Sequence, residues 1–580
     1  MLGVERNRAM IGWRSRARSA ELVPLLAVSL PVLFFGLGLS FLDPDEGLYG
    51  AIAREMLSGG DWVLPHFNGL LYLEKPPLYF WLTALTMWLG GPLEWAVRVW
   101  SALPALGTVL LAWRLGRRLY GSSAGLLAGV ALATTAGYAL YVRKASTDFL
   151  FVFCLTLAVY GFIRDAERPD GGRTRFLLLY LGAALGLLTK GLIGLVFPLL
   201  IVGISLAWVG RLTWRDLNLR RGAVLFAVVA LPWHLIAAWR APALFWYYLG
   251  DNQLLRFLNL RGFREDDVPI STLGFLVVSF LWCFPWGVFL LARSAPDSRP
   301  AARWRPVIVV WTLVVLGFFM LSRSKLEYYA LPAFPALAIL VGGAWAAGRD
   351  IGRWLWVGLV GCTAVGVWAL WAGAGLTPTR ALSGLAELNV YYRILRDQGL
   401  PFPFASPRPF GLLLQGLGLT LVAGWGLATF CWWRGWRRVS FGALLGMAGI
   451  IAGLIVQLLH VVEPHHSVKA VSRAIIARAD PADLIIHEGS LEYSAALPFY
   501  TGRRIVVLNG AWGDLEFASR LPEARGWFLD TAELARVWEG PTRVFFVTRR
   551  PREQSVLATF PPPGIRELGQ YGSRWLYSNR

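Results

Sequence analysis

The apolar residues of this chain are gathered into long runs, and that arrangement limits its fold more than any other feature. The first run covers 21–42, and others begin near 77, 95, 122, 147, 175, 191, 222, 271, 306, 328, 354, 409 and 441. A helix needs roughly 20 mostly apolar residues to cross a bilayer, and most of these runs approach that length. Charged residues make up only 16% of the 580, against about a quarter in ordinary soluble domains. A water-soluble domain, a fibrous protein and a disordered chain are therefore excluded. A polytopic all-α membrane protein is expected.

The net charge of +20 then becomes a question of sidedness. The segment Pro76–Gly91 is too short for a span. Laid along the interface, it lets 25 arginines fall in the N-terminus and in 114–118, 164–175, 211–221, 293–305, 349–353 and 434–438. Such an excess marks cytoplasmic loops. The reading is thirteen transmembrane helices, with a cytoplasmic N-terminus carrying Arg6, Arg8, Arg14, Arg16 and Arg18, and an outer C-terminus. The first run is too long for a cleaved signal core and reads as a retained span. Nucleic acid is not needed to explain the charge.

The outer face comprises a first loop over 43–92, turns at 144–148, 189–190 and 322–329, loops at 240–270 and 375–408, and everything beyond about 463. Strand-like runs at Asp483–His487, Arg504–Leu508 and Arg543–Thr548 alternate with helical stretches. They predict a small α/β domain over 463–580, following a membrane domain over 1–462.

That outer face holds the chemistry. Asp43, Asp45 and Glu46 follow the first span directly, where carboxylates are costly unless they are hydrated or used. They also suit a helix N-terminus, so capping accounts for them equally well locally. Helical spacing places Asp45, Tyr49 and Ile52 on one face of an amphipathic surface helix over Glu46–Leu57. Glu74 and Lys75 precede two prolines at the start of the interfacial segment. Of only five lysines in the chain, Lys75, Lys144, Lys190 and Lys325 lie on this rim, interleaved with Asp45, Glu46, Glu74 and Asp148. Any one could be a snorkelling anchor. Four together suggest a site where phosphate meets carboxylates. Arg256, with Arg240, Arg261 and Arg264, adds cations among interfacial aromatics.

Other signals are weak. Cys154, Cys283, Cys362 and Cys431 are dispersed in apolar runs and read as core hydrophobes. His460, Glu463, His465 and His466 lack metal-ligand spacing and read as a polar hinge. Gly416-Leu417-Gly418 reads as helix packing.

Several strings resemble a known family. Asp45-Glu46, Arg54-Glu55-Met56-Leu57, Gly60-Asp61-Trp62, Asn68-Gly69-Leu70 and Glu74-Lys75-Pro76-Pro77-Leu78 are similar to the first periplasmic loop of the lipid A aminoarabinose transferases. These group with protein O-mannosyltransferases among GT-C type glycosyltransferases that use polyprenyl-phosphate sugars. Leu188-Thr189-Lys190-Gly191 and Lys325-Leu326-Glu327-Tyr328-Tyr329 continue the resemblance in order. It implies a bacterial inner-membrane enzyme that transfers a sugar from undecaprenyl phosphate to an outer-leaflet acceptor, lipid A or a related glycolipid, by a single inverting displacement. The active site and C-terminal domain would be periplasmic.

The resemblance also implies roles. Asp45, paired in sequence with Glu46, would be the catalytic carboxylate. Lys75 and Arg256 would hold the lipid-linked phosphate, joined by a hydroxyl of Tyr328 or Tyr329. Glu74 and Asp148 would lie near the same cavity, with Tyr49 and Lys144 beside it, and Lys190 and Lys325 could add charge at the phosphate. No cofactor is assigned. A divalent metal is the one the family would bring, but Asp251-Asn252-Gln253 stands where the aminoarabinose enzymes carry histidines. A protein O-mannosyltransferase-like activity is the rival within the class, and a transporter or flippase of lipid-linked saccharides the rival outside it. Related halves and mid-membrane charges would favour a transporter, and neither is visible.

Overall fold

Each of the thirteen runs assigned to a span contains a helix in the computed structural model. The structure describes all residues except 1–20, Asp43, 168–171, Arg211, Asn259, 261–269, 294–299, Asn389, Gln398, Leu400 and 562–563. The N-terminal arginines, Asp43, Arg261 and Arg264 therefore lie outside the described residues. Among the described residues seven helices are long and apolar enough to cross a membrane by length and composition, including Glu94–Tyr120, Thr147–Ala166 and Arg437–His466. Other runs form shorter helices. The run from 122 breaks at Thr134-Thr135, where Thr135 caps a second helix, Ala136–Tyr141. The segment after Pro76-Pro77 forms Leu78–Gly90, 13 residues and about 20 Å long at 1.5 Å per residue, short of a bilayer core.

Large apolar side chains point outward along the long helices, with Trp239, Val360 and Trp371 all well exposed. That surface suits hydrocarbon. Helix contacts rely on small residues: a Cβ on Gly418 would stand 2.5 Å from the Gly366 carbonyl, so Ile351–Ala374 and Arg408–Trp433 touch backbone to backbone. All four cysteines are buried thiols.

The first loop carries the helix Asp45–Gly59 and a hairpin of β1 (His66–Phe67) and β2 (Leu70–Leu71). Asn68 and Gly69 turn it with φ of 57° and 78°, the left-handed pair that a tight two-residue hairpin needs. The helix was expected to lie open on the surface. Instead Glu46 through Ala53 are buried, because the C-terminal region packs over them. A Cβ on Gly47 would overlap Ala496 at 2.3–2.5 Å, so only glycine permits that approach.

The C-terminal region forms one six-stranded sheet in the order β5-β4-β3-β6-β8-β7. β3 (Leu484–Glu488), β4 (Ile505–Leu508), β5 (Phe528–Leu529) and β6 (Val544–Thr548) run parallel. β7 (Arg566–Tyr571) and β8 (Arg574–Ser578) close the edge antiparallel. β4 and β6 are buried throughout, as strands covered on both faces must be, which explains their unbroken apolar runs.

Candidate active site

Asp45 is the first residue of its helix, and the turn between Ala136–Tyr141 and Thr147–Ala166 places Lys144 against it. Lys144 Nζ lies 2.6 Å from Asp45 Oδ2, each side chain about a third exposed. Burial raises the Asp45 pKa, but Lys144 outweighs it with help from Lys75 and Lys190, leaving the carboxyl below its usual range. Burial likewise disfavours the Lys144 ammonium, and Asp45 more than reverses that, so its pKa is raised.

Three of the four rim lysines thus act electrostatically on Asp45, and each has a carboxylate neighbour. Lys75 Nζ is 3.9 Å from Glu74 Oε2, and Lys190 is paired with Asp148. Glu74 accepts a 2.6 Å hydrogen bond from the Tyr247 hydroxyl. The Tyr328 and Tyr329 rings meet edge-on at 5.2 Å; Lys144 Nζ sits 5.4 Å from the first and Lys190 Nζ 5.7 Å from the second. The two tyrosines therefore brace the two lysines as cation–π partners.

Other predicted residues take different places. Glu46 is not exposed for chemistry: its oxygens receive Arg98 Nε at 2.7 Å and Nη2 at 2.8 Å, with the Ala145 and Leu42 amides at 2.8 and 2.9 Å. Every lone-pair direction is engaged, so Glu46 positions its neighbours. Tyr49 is buried against Tyr79 and Phe80, both 5.7 Å away, in the core beneath the loop. Lys325 is buried, and its Nζ donates to the Ser322 carbonyl at 2.6 Å. Arg256 begins a short helix after a π-helical turn, Tyr247–Leu255, and is half-buried. Such widened turns recur at functional sites.

Within that turn Asn252 Nδ2 donates to the Glu74 carbonyl at 2.9 Å, and Gln253 Oε1 accepts from the Leu192 amide. These residues position the rim. Among the described residues no group of three His, Cys, Asp or Glu is arranged to hold a metal. His465 stacks near Tyr392, and the Tyr392 hydroxyl meets His466 Nε2 at 2.5 Å, which ties the last long helix to the loop 375–408.

Sequence reasoning missed Arg98 and Glu94. Both sit at the start of an apolar run, and a buried charge inside a span is itself a signal. Glu94 pairs with Lys469 and accepts from the Tyr500 hydroxyl at 3.1 Å, while that hydroxyl accepts from the Phe41 amide at 2.9 Å. The C-terminal region is thereby fastened beside the Asp45 helix.

Known proteins resemble this chain in sequence and fold. Residues 74–237 match the family model described as dolichyl-phosphate-mannose-protein mannosyltransferase. The undecaprenyl phosphate-alpha-4-amino-4-deoxy-L-arabinose arabinosyl transferase of Pseudomonas aeruginosa (strain UCBPP-PA14) is 30% identical over 554 residues, 90% of this chain and 92% of that protein. Its namesake from Edwardsiella ictaluri (strain 93-146) is 27% identical over 541 residues, covering 89% and 91%. The crystal structure of ArnT from Cupriavidus metallidurans bound to undecaprenyl phosphate has the same fold, with a TM-score of 0.79 at 23% identity over 96% of this chain and 98% of that one. Likeness of this extent runs through the membrane helices, the first loop and the C-terminal sheet alike, and by it the chain belongs to the undecaprenyl phosphate-aminoarabinose arabinosyltransferase family of GT-C membrane glycosyltransferases.

Proposed function

We propose that this protein transfers a sugar, aminoarabinose or a related pentose or hexose, from undecaprenyl phosphate to a phosphorylated glycolipid of the lipid A type. The reaction takes place at the outer leaflet of the bacterial inner membrane. The N-terminus is cytoplasmic, and the first loop and residues 463–580 are periplasmic. The observation that carries this reading is the grouping of Asp45 with Lys75, Lys144 and Lys190.

In the displacement, an acceptor oxygen attacks the anomeric carbon while the bond from that carbon to the phosphate oxygen breaks and its electron pair leaves with the polyprenyl phosphate. Lys75 and Lys190, with Arg256, stabilise the charge growing on that leaving group. Glu74 and Asp148 hold the two lysines, Tyr328 and Tyr329 frame the rim, and Lys144 fixes Asp45. A general base works best with a pKa near the working pH. Asp45 is held below the ordinary carboxylate range, so it is a weak base and serves to hold Lys144, whose ammonium orients an acceptor that is already ionised. This favours a phosphate oxygen on a glycolipid over a protein hydroxyl.

The mannosyltransferase-like reading has support from the family model matched by 74–237. One experiment separates the two. Labelled polyprenyl-phosphate sugar is incubated with the protein in detergent together with lipid A and a protein fraction, and the label is located by extraction. Mass spectrometry of lipid A from cells with and without the protein gives the added sugar mass. Label in protein alone would overturn the glycolipid reading.

A further inference from the structure

The string Arg54-Glu55, Asp61 and Asn68-Gly69 belongs to the first loop but takes no part in the Asp45 cluster. It lines a cleft of about 450 Å³ between the far end of the Asp45–Gly59 helix, the β1–β2 turn and the C-terminal region. Three arginines enter that cleft. Arg54 donates to the Phe499 carbonyl, Arg503 to the Pro481 and Asp483 carbonyls, and Arg504 to the Gly526 carbonyl while its guanidinium lies 3.4 Å over the Trp527 ring. Every one of these bonds ends on a neutral backbone oxygen. Among the described residues none of the three arginines forms a salt bridge.

The carboxylates lining the cleft do not offset them. Glu55 accepts the Asn68 and Gly69 amides at 2.6 and 2.9 Å, and burial pushes its pKa up to about 7. Asp61 is committed to Arg240 at 2.8 Å and to the Val63 and Leu64 amides. A guanidinium has five donors in a planar fork that matches phosphate oxygens, and each arginine here has most of its donors unspent.

We infer that this cleft is a second anion site that holds a phosphate-bearing part of the acceptor's saccharide headgroup. Arg54, Arg503 and Arg504 bind the phosphate, and Trp527 fixes the plane of Arg504. Asp45 and Arg54 are nine residues apart on one helix, about 14 Å along its axis and on opposite faces of it. A phosphate held here is therefore not the one that meets Asp45 but another group of the same headgroup. The inference rests on the glycolipid reading for its ligand, while the same chemistry would also hold free phosphate.

The test is direct binding to the full chain in detergent, using a bisphosphorylated glucosamine-disaccharide lipid, its dephosphorylated form and inorganic phosphate. Arg503→Gln/Arg504→Gln is expected to weaken binding of the bisphosphorylated lipid about tenfold or more, as loss of charge-assisted forks would. Ser58→Glu, which adds a charge at the exposed rim without removing a buried contact, is expected to weaken it as well and guards against misfolding. Equal binding by both variants and the wild type, or equal binding of the dephosphorylated lipid, overturns the site. Competition by inorganic phosphate at the lipid's own concentration would make free phosphate the occupant and overturn the headgroup. If the wild type transfers no sugar to glycolipid yet arginine-dependent binding persists, the function proposed above fails and the site stands.

Discussion

Arg98 grips Glu46 at two points, 2.7 and 2.8 Å long, with both side chains only 2% exposed. The remaining Arg98 donors meet the carbonyls of Leu37, Leu39 and Ser40, and Glu46 also takes the amide of Ala145. One ion pair thus joins the end of the first span, the start of the Asp45 helix and the turn that presents Lys144. Removing one partner of such a pair strands a buried charge and costs about 3–5 kcal/mol. Arg98→Leu is expected to lower the melting temperature in detergent and abolish transfer. Glu46→Gln/Arg98→Met should recover much of the stability but little activity, because the Asp45–Lys144 geometry stays loose. Full activity in the double variant would refute a positioning role for the pair.

Asp45→Asn should lower transfer by a factor on the order of 10², the cost of a misplaced reactant, while the protein still expresses and folds. The readout is labelled sugar reaching lipid per mole of purified protein. An unchanged rate removes Asp45 from the mechanism.

The pH dependence follows from Lys144. Asp45 is depressed, so its charged form persists to unusually low pH, and activity fails only when pH drops through that lowered pKa. Lys144→Met withdraws the neighbour that opposes burial. The acid limb of the pH–rate profile should move upward in that variant. No movement would mean that another group governs the limb.

Glu55 predicts a pH effect of opposite sign on stability. Its folded pKa is raised, to about 7 from 4.5, so the folded state holds a proton that the unfolded chain has already lost. That contribution is complete below about 4.5 and disappears as pH rises through about 7. The melting temperature should therefore fall between pH 5 and 8, and Glu55→Gln should flatten the dependence. A slope that persists in Glu55→Gln assigns it to other groups.

Asn68 offers a test of how the two regions are joined. Its amide nitrogen donates to the Ile505 carbonyl at 2.7 Å, and its side-chain oxygen accepts from the Ile505 amide at 2.9 Å, as an adjacent strand would. Asn68→Ala leaves both groups of Ile505 buried and unpaired, at about 1–3 kcal/mol each. Limited proteolysis should then release the C-terminal region while the apolar helices stay protected. Cleavage at the wild-type rate would show that the other contacts suffice.

Much of this was legible in the residues. The apolar runs foretold the helices, and the scarcity of lysine singled out Lys75, Lys144 and Lys190. β3, β4 and β6 were visible because strands buried on both faces need continuous apolar residues. β7 and β8 were not, since a half-exposed hairpin such as Arg566–Ser578 has no such run. The task of Glu46 could not be read from the acidic pair. It is decided by Arg98, 52 residues later, and by Ala145, 99 later. Likewise Asn68 looks like an ordinary turn residue until Ile505, 437 positions away, is beside it.

The carboxylates beside Lys75, Lys144 and Lys190 act as internal counter-ions. Three ammonium groups can therefore be gathered in one place and remain folded before any substrate arrives. In the proposed reaction an incoming phosphate meets lysines whose charge is already balanced, and it would take the place of Glu74 or Asp148 beside them. The reverse exchange would complete the proposed cycle. Once the sugar has left, the resident carboxylates would compete with the spent carrier for the same lysines, and the charge balance that lets the site assemble would also help to empty it.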